Sequence, residues 1–155
     1  MSVKTTKVTG RRQLQFEDCQ QVLDDVRTLA SRPHRQLGNW SLGEICHHLA
    51  KGFDMATEPS NAQFPWLLRT LGPYIKRFVI SRPFAAGFKA PKGGGLIADP
   101  QQAAVGVRAL EQAIERFRAA TQYRNHPVFG PMTPDEWRRF QMRHCDLHLS
   151  FLVPE

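Results

Sequence analysis

Six histidines occur in this chain, and two of them, His144 and His148, stand four residues apart. On a helix that spacing stacks them one turn above the other on a single face. Two imidazoles so placed can hold one divalent ion. Both fall on a stripe of Trp137, Phe140, His144, Leu147, His148 and Phe151, so they are expected to point inward. His48 follows Ile45 by three residues in another amphipathic stretch and is expected to point inward too. Its neighbour His47 shares a different face with Trp40, Glu44 and Lys51 and is expected to point elsewhere.

A helix-borne histidine pair is commonly just two core residues with separate hydrogen-bond partners. A third inward imidazole on a second helix changes the weighing. Three such rings need three sets of partners, and burying them unpaired costs free energy. One divalent ion at His48, His144 and His148 satisfies all three. Three imidazoles leave a position for water or substrate, which is the pattern of a catalytic site. An ion there lowers the pKa of a bound water or deprotonates a bound thiol. Imidazole ligands suit Zn, Ni, Cu and Fe alike. No fourth ligand is evident: Cys145 turns about 100° away from His144, Cys46 turns off the face of His48, and Cys19 reads as a small core residue. Glu44 sits one turn before His48 and could orient its ring. A helix-capping role competes for that carboxylate and is preferred. No catalytic acid, base or nucleophile can be named.

The elements that must position these rings carry clear signals. Ser41-Leu42-Gly43-Glu44 and Thr133-Pro134-Asp135-Glu136 both read as capping boxes at helix starts. Asp99-Pro100 reads as a third start. The apolar stripes are Phe16, Cys19, Leu23, Val26 and Ala30; then Leu42, Ile45, His48, Leu49, Gly52 and Ala56; then Ala103, Val107, Leu110, Ile114, Phe117 and Thr121. Helices are therefore expected near 15–31, 41–57, 100–121 and 133–152. Residues 61–98 should supply shorter helical pieces, broken at Gly72-Pro73, and an irregular Pro/Gly-rich insert at 83–95. The fold class expected is all-α, a four-helix bundle. Residues 1–13 read as a flexible basic tail and 14–155 as one domain.

Two blocks of residues resemble the DinB/YfiT-like superfamily. One is Asn39-Trp40-Ser41-Leu42-Gly43-Glu44-Ile45-Cys46-His47-His48-Leu49-Ala50. The other is His126-Pro127-Val128-Phe129-Gly130, then Thr133-Pro134-Asp135-Glu136-Trp137, then His144-Cys145-Asp146-Leu147-His148-Leu149. The resemblance spans roughly residues 14–152 and looks closest to a branch filed as a domain of unknown function. It implies a bundle in up-down-down-up order, with a nickel- or zinc-type ion held by three histidines near one end. It carries the ligand roles onto His48, His144 and His148. Relatives of that kind include thiol-dependent transferases and an isomerase. This sequence departs from the commoner pattern after the last ligand, where His148-Leu149-Ser150 replaces a histidine followed by Arg-Gly-Gln, and in the 83–95 insert.

Charge and composition bound the partners. The 155 residues carry a net charge of +7. Residues 1–12 hold Lys4, Lys7, Arg11 and Arg12 without an acid, and residues 59–98 hold Arg69, Lys76, Arg77, Arg82, Lys89 and Lys92 without one. The second stretch could receive an anionic substrate. Nucleic acid is disfavoured, because no base-reading or stacking motif accompanies the charge. No apolar run reaches the roughly 18 residues that span a bilayer. Three widely spaced cysteines argue for a reducing, cytoplasmic setting. The expected function is a metal-dependent transferase or hydrolase, with a small anionic or thiol substrate and Zn or Ni as cofactor. A non-catalytic metal-binding or interaction bundle is the alternative, and a homodimer is compatible with either.

Overall fold

The computed structural model describes residues 2–87 and 102–155. Five helices make up most of it: α1 (Cys19–Ser31), α2 (Leu42–Asp54), α3 (Trp66–Ile80), α4 (Ala103–Ala119) and α5 (Pro134–Leu149). Two three-residue strands, β1 (His34–Gln36) and β2 (Leu152–Pro154), pair antiparallel with Arg35 opposite Val153. This small clasp ties the turn after α1 to the end of the chain. Asp99-Pro100 and most of the 83–95 insert lie outside the described residues.

The chain is a helical bundle whose core comes from four of the helices. Val22, Val26 and Leu29 of α1 meet Ile45, Leu49 and Phe53 of α2, Leu110 and Ile114 of α4, and Trp137, Met142 and Leu149 of α5. Helices α2 and α4 pack most intimately because glycines face each other. A Cβ on Gly106 would stand 2.2 Å from the Gly43 carbonyl oxygen, so only a residue without one fits. Gly106→Ala should therefore lower stability by about 1–3 kcal/mol, the usual effect of overpacking a close interface. Urea unfolding checks this, and an unchanged midpoint would mean that the two helices can part freely.

Several expectations need correction. Gly72-Pro73 does not break α3, which runs unbroken through Pro73. Gly72 serves contact instead: its missing Cβ lets the Val128 carbonyl approach to 2.1 Å of where that atom would be. Pro73 costs the helix about 3 kcal/mol in the interior, so tertiary packing must offset it. Lys76 contributes by donating to the Pro131 carbonyl at 2.8 Å and pairing with Glu136 at 2.9 Å. The outer face of α3 leaves Leu67, Leu71, Tyr74 and Phe78 exposed.

The N-terminal segment is also not wholly free. Arg12 makes a bidentate pair with Asp25 at 2.6 and 2.8 Å and donates to the Leu149 carbonyl. Arg11 donates to Ser150 Oγ and lies over the Phe151 ring. Helix α1 starts later than expected, with Asp18 as its cap accepting from the Gln21 amide. Ala30 is exposed and Leu29 takes the inward place. On α5 the buried face is Trp137, Gln141, Met142, Cys145, Asp146 and Leu149. Phe140, His144, Leu147 and His148 flank it, half-buried. No helix of the described residues is long and apolar enough to cross a membrane.

Candidate metal centre

Two capping boxes place the rings. Ser41 Oγ accepts from the Glu44 amide at 3.3 Å, and the Glu44 carboxylate accepts from the Ser41 amide at 2.7 Å. Glu44 is thus committed to the cap. Thr133 and Glu136 do the same at the start of α5. From these fixed starts, His48 of α2 and His144 and His148 of α5 meet across the interhelical seam. Their ring centroids are 4.9 Å (His48–His144), 4.5 Å (His48–His148) and 4.8 Å (His144–His148) apart. One nitrogen from each ring lies within 4.8 Å of the other two. The Nε2 atoms of His48 and His144 are 3.0 Å apart. Nitrogens bound to one tetrahedral ion at about 2.0–2.1 Å stand about 3.3 Å from each other. The His48–His144 pair is close to that spacing, and the set as a whole lies within 4.8 Å.

The electrostatics favour neutral rings. Burial pushes His144 well below the ordinary imidazole range, and His148 and His48 push it the same way. Burial does the same to His148, with His48 and then Arg11 adding to it. A neutral imidazole is the form that ligates. Among the described residues no cysteine lies in the cluster; burial raises the Cys46 thiol to about 12 and Cys19 to about 11, and lifts Cys145 as well. His47 lies outside the cluster of three, half-buried, with an Nδ1 that has no hydrogen-bond partner.

Sequence reading missed three supports of the cluster. The first is Trp40, which stacks on His148 at 5.3 Å with the planes 17° apart and tilts against His48 at 4.9 Å. It lies before the helix, so the helical periodicity that put it on the face of His47, away from His48, does not hold for it. The second is the notch at Gly52, where a Cβ would stand 2.9 Å from His144 Nδ1. The third is Gln141, one turn before His144 and fully buried. Its Nε2 donates to the Gly52 carbonyl at 2.7 Å. This leaves Gln141 Oε1 buried without a partner, and His144 Nδ1 is equally orphaned. Both atoms border the same notch. Ligation through His144 Nε2 would leave Nδ1 as an N–H needing an acceptor, and Gln141 Oε1 is an unsatisfied acceptor on the same notch, not bonded to Nδ1 in the structure.

His126 is not part of the cluster but adjoins it. Its Nδ1 accepts from the Val128 and Phe129 amides at 3.0 and 3.2 Å, which closes the 126–130 turn. Its ring packs on Phe140 at 4.9 Å, and Phe140 lies 5.9 Å from His144. Burial lowers His126 to about 4. Between that value and about 6.5 the unfolded chain binds a proton that the folded chain does not. This part of the stability is complete above about pH 6.5 and is lost as pH falls toward 4, on the order of 2–3 kcal/mol. His126→Asn keeps an acceptor near the same place and removes the titration. Denaturation midpoints at pH 7 and 4.5 should therefore fall less in the variant than in the wild type. Equal falls would refute the assignment.

A family described as proteins of unknown function, DUF1569, matches residues 8–155. The chain belongs to that family. No curated protein and no solved structure matches it. Both helix-start blocks and all three clustered histidines lie inside the matched span of this DUF1569 protein.

Proposed function

We propose that the protein binds one divalent ion, Zn or Ni, through His48, His144 and His148. We further propose that it is a metal-dependent transferase or hydrolase of DinB/YfiT-like kind, with an up-down-down-up four-helix core and a small anionic or thiol substrate. The observation that carries this reading is the convergence of three imidazole nitrogens within 4.8 Å on a half-buried seam. The paired orphans at Gly52 support it. An ion held this way supplies Lewis acidity that favours a bound thiolate or hydroxide at neutral pH. The protein's own part is to keep His144 and His148 neutral and to wall the seam with Trp40. The buried, unreactive thiols agree with a cytoplasmic setting.

One observation favours the non-catalytic alternative: among the described residues no thiol or carboxylate joins the three histidines in the cluster. Metal analysis of protein purified without a histidine tag tests the shared claim. About one equivalent of Zn or Ni per chain is expected. A chain that takes up no stoichiometric metal, even on titration, would sink it. Turnover then separates enzyme from binder.

A further inference from the structure

A second recess lies beyond Phe140. It is a groove of about 830 Å³ between the segment after α2, the start of α3 and the loop 123–127. A smaller recess of about 550 Å³ continues it along α3, sharing Arg69 and Asn125, with His126 in its wall. None of the three clustered histidines lines either recess. Arg69 and Arg124 both line the groove, and neither is paired with a carboxylate among the described residues. Glu58 also lines it, 3.6 Å from Arg116, but Arg116 is already paired with Asp54, so Glu58 offsets part of the groove's positive charge. Phe64 and Tyr123 give the groove aromatic surface. The Tyr123 hydroxyl is committed to the Phe117 carbonyl at 3.0 Å, so this residue offers its ring.

Two unpaired guanidiniums in a concave site, beside aromatic faces, match one ligand class. Guanidinium forks bind carboxylate and phosphate oxygens, often bidentately, and a flat apolar body fits between rings. We propose that this groove binds an organic anion, with Arg69 and Arg124 taking the anionic group and Phe64 and Tyr123 flanking the apolar part. The packed rings of His126 and Phe140 stand between the smaller recess and His144, so the groove is a binding site apart from the histidine cluster and does not rest on the metal reading.

The test is a titration of metal-free, isotope-labelled protein with phenyl phosphate, followed by amide chemical shifts. Inorganic phosphate and phenol serve as half-probes. Saturable shifts at Arg69, Arg124 and Asn125 are expected, weaker with phosphate and negligible with phenol. The Arg69→Gln/Arg124→Gln double variant should bind about tenfold more weakly or worse, since each lost charged hydrogen bond costs a decade or more. Both arginines are exposed, and the same spectra report that the variant is folded. The proposal falls if shifts do not saturate, if they centre on the N-terminal basic residues, or if the double variant binds as the wild type does, which would mean an adventitious ion only. Loss of metal uptake in His48→Ala with unchanged phenyl phosphate binding would leave the groove standing.

Discussion

Replacing His144 with alanine is expected to weaken Zn or Ni binding by more than about 100-fold, because disturbing only an outer partner of a ligand already costs 10–100-fold. His144 is the central ring of the cluster: its Nε2 is 3.0 Å from that of His48, and its centroid is 4.8 Å from His148. Without it two imidazoles remain, from different helices. His47→Ala should leave affinity unchanged, since His47 lies outside the cluster. Calorimetric titration of both variants checks the pair. Equal losses would mean that metal binds elsewhere or that α2 is turned. An unaffected His144→Ala would show that the three rings are core residues sharing protons.

The parts of this molecule that were legible in the sequence are those whose signal is chemical and local. Ser41 with Glu44 and Thr133 with Glu136 form the reciprocal hydrogen bonds that their spacing requires. Those bonds fix where α2 and α5 begin, and so where three histidines fall. The stripe on α2 was legible for the same reason, since Leu42, Ile45, His48 and Leu49 are all buried.

What was not legible depends on contact between distant segments. Gly72-Pro73 has the composition of a breaker, yet Gly72 is there because the Val128 carbonyl needs its space. On α5 two overlapping faces exist. The stripe of Phe140, His144 and His148 looks like the core face, but the core lies one step round, at Met142, Cys145 and Leu149. Polar residues disguise that face: Gln141 is buried because Gly52 accepts its amide, and Asp146 because it accepts from the Phe16 amide at 2.8 Å and pairs with Arg143. Arg11 and Arg12 read as tail because their partners Ser150, Leu149 and Asp25 are remote or unremarkable in sequence. Trp40 was visible as a motif residue, but only the fold shows it stacked on His148.

Trp137 joins the fold to the site, and Trp137→Ala is expected to cost about 3–5 kcal/mol of stability. Its side chain is fully buried. Its Nε1 donates to the Arg124 carbonyl at 3.1 Å, which ties α5 to the loop before it. Its ring meets Phe140 edge-on at 5.9 Å and His126 at 5.4 Å. Truncation therefore leaves a cavity under the turn that carries His126 and removes support from Phe140, the wall beside His144. A domain holds only about 5–15 kcal/mol in total, so this single change should shift the urea midpoint far down. Trp137→Phe keeps most of the packing and loses one hydrogen bond, about 1 kcal/mol net, so it should lie close to the wild type. If Trp137→Ala and Trp137→Phe cost the same, the hydrogen bond to Arg124 rather than the packing anchors the loop. If neither shifts the midpoint, α5 holds its histidines in place without the loop, and the link from core to cluster runs through Gln141 and Gly52 alone.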